Sequence, residues 1–169
     1  IVTMDDLVGV VGKDAARYFF IARKANAHLN FDLELVLQQN NENPVYYCQY
    51  AHARICSIIK KAKKDKVLPR TFKKELCGKL GKTEELALIQ KLTDLPELLE
   101  LIAEFREPHR LATYTEELCS LFHRFYNKYQ VVGGKDKELS QARLLLIDTV
   151  RNVLAICLDL MGISAPEKM

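Results

Sequence analysis

A chain of 169 residues, 49% hydrophobic and 28% charged, is the size of one globular domain and can bury about two-thirds of its unfolded surface. The formal charge of +3 excludes a whole-chain electrostatic argument for nucleic acid, and no apolar run is long enough for a membrane span. Five cysteines, at 48, 56, 77, 119 and 157, form no Cys-x-x-Cys pair and no zinc spacing, so no metal site is expected.

Helical periodicity runs through the chain and strand signals are almost absent, so an all-α bundle is expected. Thr3 with Asp5 and Asp6 opens a first helix, because acids suit a helix N-terminus. Gly12 interrupts, and Lys13 to about Lys24 reads as a second helix. His28 to Phe31 reads as extended, followed by a short helix from Asp32 to about Gln39. Asn43 caps a long helix that Pro44 enters at its first turn and that runs to about Lys64. After the break at Pro69, helices are expected from about Thr71 to Lys79, Thr83 to Leu92 and Leu95 to Arg106. Leu111, Tyr114, Leu118, Leu121, Phe122, Phe125 and Tyr129 form an apolar stripe, and Gly133-Gly134 closes a turn. Ala142, Leu145, Leu146, Thr149, Val153, Cys157 and Leu160 form the next stripe, ended by Gly162. Residues 1–40 are read as a separate helical segment and 41–169 as the bundle.

The long helix carries the most informative surface. Tyr47, Tyr50 and Arg54 stand at i, i+3 and i+7 and share one face. Two phenol rings with a guanidinium beside them suit unpaired bases, which stack on aromatic faces and bring a phosphate with them. The plainer reading makes the tyrosines core residues with wet hydroxyls. Cys48, Cys56, Cys119 and Cys157 read as small buried hydrophobes, which argues for a reducing, cytoplasmic setting. From Lys60 to Lys74 there are eight basic residues and one acid, Asp65. Lys60, Lys63 and Lys64 are its candidate phosphate contacts, against the alternative of a solvated face.

The chemistry of catalysis is missing. Gly81-Lys82-Thr83 looks like the end of a phosphate loop, but Leu76 stands where the loop needs its first glycine, so it reads as a helix start. The histidines at 28, 52, 109 and 123 do not pattern as metal ligands or as a triad. His52 reads as a hydrogen-bonded structural residue. Asp14 and Arg17 are expected to pair along one helix.

Several motifs together resemble one family. Tyr47, Tyr50, Ala51, His52 and Arg54 match a Tyr-x-x-Tyr-Ala-His-x-Arg helix of bacterial arginyl-tRNA synthetases. Asp14-Ala15-Ala16-Arg17 is a variant of the Asp-Ala-Leu-Arg signature of their C-terminal anticodon-binding domain. Val2-Thr3-Met4-Asp5-Asp6-Leu7, His28-Leu29-Asn30-Phe31-Asp32, Glu107-Pro108-His109-Arg110-Leu111-Ala112 and the ending Ala165-Pro166-Glu167-Lys168-Met169 match too. The resemblance implies the helical-bundle anticodon-binding fold of class I synthetases, with residues 1–40 leading from a catalytic domain. It implies a parent enzyme that ligates arginine to tRNA(Arg) with ATP and Mg. The His-Ile-Gly-His-type and Lys-Met-Ser-Lys-type motifs of that catalysis do not occur here, so this stretch alone is expected to need no cofactor and to be inactive. The first residue, Ile1, suits a domain cut from a longer chain, without a targeting signal.

The resemblance also implies a site: Tyr47, Tyr50, Arg54, Tyr126 and Met169 around the anticodon. Arginine codons have G in the middle, so the base to be read is C. Tyrosines would stack it, Arg54 would meet a phosphate or base edge, and Met169 would close the pocket. A monomer is expected. The rivals are the anticodon domain of a related class I synthetase of cysteinyl type, and a helical protein-interaction module.

Overall fold

The computed structural model describes residues 3–28, 31–68 and 74–169. In chain order the helices are α1 (Met4–Val11), α2 (Lys13–Ile21), α3 (Leu33–Leu37), α4 (Pro44–Lys64), α5 (Lys74–Cys77), α6 (Thr83–Thr93), α7 (Leu95–Phe105), α8 (His109–Lys128) and α9 (Lys137–Leu160). No strand occurs among the described residues. Helix starts follow local chemistry. Thr3 and Asp6 form a reciprocal capping box, and Asp136 accepts from the Leu139 amide at 3.0 Å. Asn43 caps α4 by accepting from the Val45 amide at 3.1 Å, while its own amide donates to the Val36 and Gln38 carbonyls at 2.8 and 2.9 Å. One buried side chain thereby joins the end of α3 to the start of α4.

The long helices α4, α8 and α9 pack on one another, and α6 lies against α8 and α9. Their shared core includes Ile55, Leu118, Phe122, Phe125, Ile147 and Leu154, all fully buried. At about 25 cal/mol per Å² of apolar surface removed from water, such burial is the main force holding helices of this length together. Tyr18 of α2 enters the same core, 1% exposed, and its hydroxyl donates to Glu116 of α8.

The α8 stripe is found as read, with Leu121 and Tyr129 half-buried at its edges. The α9 stripe is displaced. Thr149 and Leu160 are exposed, and the deepest face is Leu144, Ile147, Val150, Leu154 and Leu158. Helix α9 is apolar on more than one side because it meets α4, α5, α6 and α8, so residue type alone did not mark its inner face. The second helix ends at Ile21, short of Lys24, and α3 ends at Leu37. The Pro69 break, the expected start at Thr71, Arg70, Lys73 and part of the His28–Asp32 motif lie outside the described residues.

One buried ion pair organises the far end of the bundle. Arg143 Nε lies 2.7 Å from Glu85 Oε1, and Glu85 is fully buried. The other Glu85 oxygen accepts from the Gly81 and Lys82 amides, both at 2.9 Å, at the start of α6. Arg143 also donates to the Gln130 carbonyl and lies over the Tyr129 ring. Gly81-Lys82-Thr83 is thus a helix N-terminus held by a carboxylate.

Candidate nucleic-acid interface

Helix α4 presents its aromatic face beside α8. Tyr50 stacks near-parallel on Tyr46, with centroids 6.2 Å apart and planes 8° apart. On its other side it lies 6.1 Å from the His123 ring of α8, at 16°. Tyr47 closes on the same imidazole at 5.0 Å. Three near-parallel rings, Tyr46, Tyr50 and His123, therefore form one ladder, with Tyr47 against its inner end. Tyr47 and Tyr126 are half-buried and packed on the core, and burial raises the Tyr47 hydroxyl pKa above its usual value. Tyr50 is half-buried too, but it is not among the residues packed on that core.

Arg54 is exposed and reaches across to α8. Its guanidinium donates to the Tyr126 hydroxyl at 3.3 Å and sits 5.1 Å from that ring's centroid. This cation–π contact holds the charge near His123 and leaves most of its five donors free. The structure thus brings Tyr47, Tyr50, Arg54 and Tyr126 together where α4 meets α8.

Tyr46 and His123 are not among the site residues expected from sequence. Tyr46 stands one turn before Tyr50, at i+4, and His123 one turn before Tyr126, at i+3, which is the signal that marks them. His123 Nε2 is buried without a hydrogen-bond partner. Burial, then the Arg54 charge, lowers its pKa, so the ring is neutral at pH 7.

The C-terminal tail flanks the other side of α4. Buried His52 holds the Pro166 carbonyl at 2.9 Å through Nδ1. A carbonyl can only accept, so Nδ1 carries the proton. Gln49 donates to the Ser164 carbonyl at 3.0 Å. Asp14 accepts from Gln49 at 2.9 Å, from the Ser164 amide at 3.2 Å and from its hydroxyl. Arg17 donates to the Met161 carbonyl at 3.0 Å. Asp14 and Arg17 thus do not pair with each other: they clamp α2 onto the turn after α9. Gly162, at φ 70°, permits that grip, since a Cβ there would lie 2.5 Å from Arg17 Nε. Met169 follows this anchored segment and is 55% exposed.

Lys60, Lys63 and Lys64 are exposed on the last turns of α4. Lys60 and Lys63 line a cavity of about 240 Å³ with Lys168 and Arg151. Cys48, Cys119 and Cys157 are buried as expected, but Cys56 is only half-buried because it opens on this cavity. No metal-binding group of His, Cys, Asp and Glu occurs among the described residues, and none of their helices is long and apolar enough to cross a membrane.

A family model, the DALR anticodon binding domain, matches residues 48–169. The chain belongs to the DALR anticodon-binding domain family. The match begins within α4, so it takes in Tyr50 and Arg54, α8 with His123 and Tyr126, and the tail, but not Tyr46 or Tyr47. An arginine–tRNA ligase of Heliobacterium modesticaldum is 48% identical over 172 aligned positions, covering 99% of this chain and 30% of that protein. A solved structure named as an arginyl-tRNA synthetase from Campylobacter jejuni aligns with a TM-score of 0.86 and 33% identity, over 98% of this chain and 35% of that one. The Thermus thermophilus arginyl-tRNA synthetase aligns at 0.77 and 30% identity, over 95% of this chain and 27% of its own. The chain thus spans about a third of the length of these relatives, and the fold expected from sequence, a class I anticodon-binding helical bundle, is the fold found.

Proposed function

We propose that this domain reads the anticodon of tRNA(Arg) for a parent arginine–tRNA ligase, and that C at the middle position is the base it selects. The observation that carries this reading is the ladder of Tyr46, Tyr50 and His123 with the Arg54 guanidinium over the neighbouring Tyr126. An unpaired pyrimidine can stack on the outer ring while Arg54 meets a phosphate or a base edge. Tyr47 and Tyr126 back this surface from the core side. Met169, carried on the anchored tail, covers the stacked base. The parent supplies the ATP- and Mg-dependent ligation of arginine. Residues 1–40 lead to its catalytic body and 41–169 form the reading module. The buried free cysteines support a cytoplasmic, reducing setting. The domain acts as a monomer.

The decisive experiment measures binding of two tRNA(Arg) transcripts that differ only at the middle anticodon base. Tighter binding of the C form than of the U form is expected. Equal affinity for both rejects base recognition, and no affinity for either leaves a protein-interaction module. The chain should give no arginine-dependent ATP–pyrophosphate exchange, since both ATP-handling motifs are missing, and exchange above background would overturn that expectation.

A further inference from the structure

The cavity between α4, α9 and the tail holds an unusual concentration of positive charge. Lys60 and Lys63 enter from α4, Arg151 from α9 and Lys168 from the tail. The acids beside them are Glu167, which lines the cavity, and Asp148, whose Oδ1 lies 2.8 Å from an Arg151 terminal nitrogen. Four cations thus face two carboxylates. Arg151 spends its charge only in part. The same terminal nitrogen meets Asn152 at 2.9 Å, while Nε, like Asp148 Oδ1, is buried with no hydrogen-bond partner. A buried charged N–H without an acceptor is a costly arrangement. It is relieved if an anion enters. Lys168 makes no ion pair or hydrogen bond among the described residues, so its charge is also uncommitted.

We propose that this cavity is an anion site that takes one phosphate of an RNA backbone. The proposal rests on the RNA-binding reading above and adds Arg151 and Lys168 to it. Its chemistry is that of a phosphate: a planar guanidinium with a free edge supplies directed donors, and lysines supply compact charges around it. Its position favours RNA over free phosphate. Lys60 stands six residues after Arg54 on α4, about 9 Å further along the axis and about a third of a turn round it. A strand whose base stacks on the outer ring and whose phosphate meets Arg54 therefore winds round α4 to bring its next charges to the cavity. His52, by holding Pro166, fixes the tail that brings Lys168 to the site. This contact carries no sequence information, so it sets the strand's position while the ladder reads the base.

The test uses the whole 169-residue chain with Arg151→Gln and, separately, Lys168→Gln, each first shown to melt cooperatively. Lys168→Gln breaks no described contact, so it remains informative if Arg151→Gln fails to fold. Either variant should bind the C and U transcripts several-fold more weakly, by the same factor. The slope of log affinity against log salt should fall by about 0.7 for each single-strand phosphate that is no longer neutralised. Unchanged affinity and slope in both variants overturn the site. A changed C-over-U ratio overturns the backbone assignment in favour of base reading. The Arg151 Nε–H resonance separates the ligand sources. A shift with transcript but not with millimolar inorganic phosphate supports RNA; a shift with phosphate but not with transcript overturns the RNA assignment. If the unsubstituted chain itself shows no C preference, the anticodon reading fails while an intact salt effect of Lys168 still upholds the phosphate site.

Discussion

His52 on α4 and Pro166 in the tail are joined by a hydrogen bond of 2.9 Å between the imidazole Nδ1 and the backbone carbonyl, across 114 positions of sequence. Together with the grip of Gln49 and Asp14 on Ser164, that bond holds the segment leading to the last residues of the chain. His52→Ala should cost about 1 kcal/mol of stability, the usual net worth of such a bond, and should loosen the tail. Met169 should then lose its place. Removing Met169 alone should lower the C-over-U preference while the melting point stays within a degree or two. An unchanged preference would take Met169 out of the site.

Tyr50 and Tyr114 make a contrasting pair. Tyr50 lies on the ladder, whereas Tyr114 is 2% exposed and donates to the Lys91 carbonyl at 2.8 Å. Tyr50→Ala removes the middle ring that supports the outer one and should weaken tRNA binding by about 1–3 kcal/mol, the worth of the base–aromatic stack lost with it, with helicity intact. Tyr114→Ala should lower stability by about 3–5 kcal/mol, as for other large core truncations. Binding titrations beside urea melts separate the two. If Tyr50→Ala unfolds the chain and leaves binding per folded molecule unchanged, the ladder is only packing.

His123 should act through its ring and not its nitrogen. Its imidazole is stacked on Tyr50 and tilted against Tyr47, and its Nε2 has no partner. His123→Phe should therefore keep tRNA affinity and hold or raise stability, because an unpaired buried polar atom is removed. His123→Ala should weaken binding several-fold by releasing the Tyr50 ring. Equal loss in both variants would show that the nitrogen itself takes part.

The Glu85–Arg143 pair should be the most sensitive polar contact in the fold. Glu85 serves Arg143 and two amides at once. Glu85→Ala strands a buried guanidinium and uncaps α6, so a loss of about 3–5 kcal/mol is expected. Urea unfolding at neutral pH measures it. A loss under about 1 kcal/mol would mean that water replaces the carboxylate.

Acid sensitivity should be traceable to Glu84. The Lys128 ammonium and the Tyr129 hydroxyl, at 2.6 and 2.7 Å, hold its carboxyl down to about 2. A depressed folded pKa means the unfolded chain binds the proton first. The contribution of this contact is therefore complete above the ordinary glutamate range, near about 4.3, and is lost as pH falls from there toward about 2. Glu84→Gln should flatten that part of the stability profile. An identical acid limb in the variant would exclude Glu84 as its source.

The helices themselves were written locally. Asn43-Pro44 starts α4, Asp136 caps α9, and the stripe through Leu118 and Phe122 marks α8, because capping and periodicity depend on neighbours within a turn or two. The spacing of Tyr47, Tyr50 and Arg54 likewise put them on one face of α4, but it was the family resemblance that marked this face as a candidate interface. What no local pattern holds is which helices meet. Only packing put His123 of α8 against Tyr50 of α4, turned Asp14 and Arg17 from each other to the tail, and chose the face of α9 that is buried. Those outcomes depend on residues tens of positions apart sharing one core, and the free energy of that burial, not any local propensity, decides them.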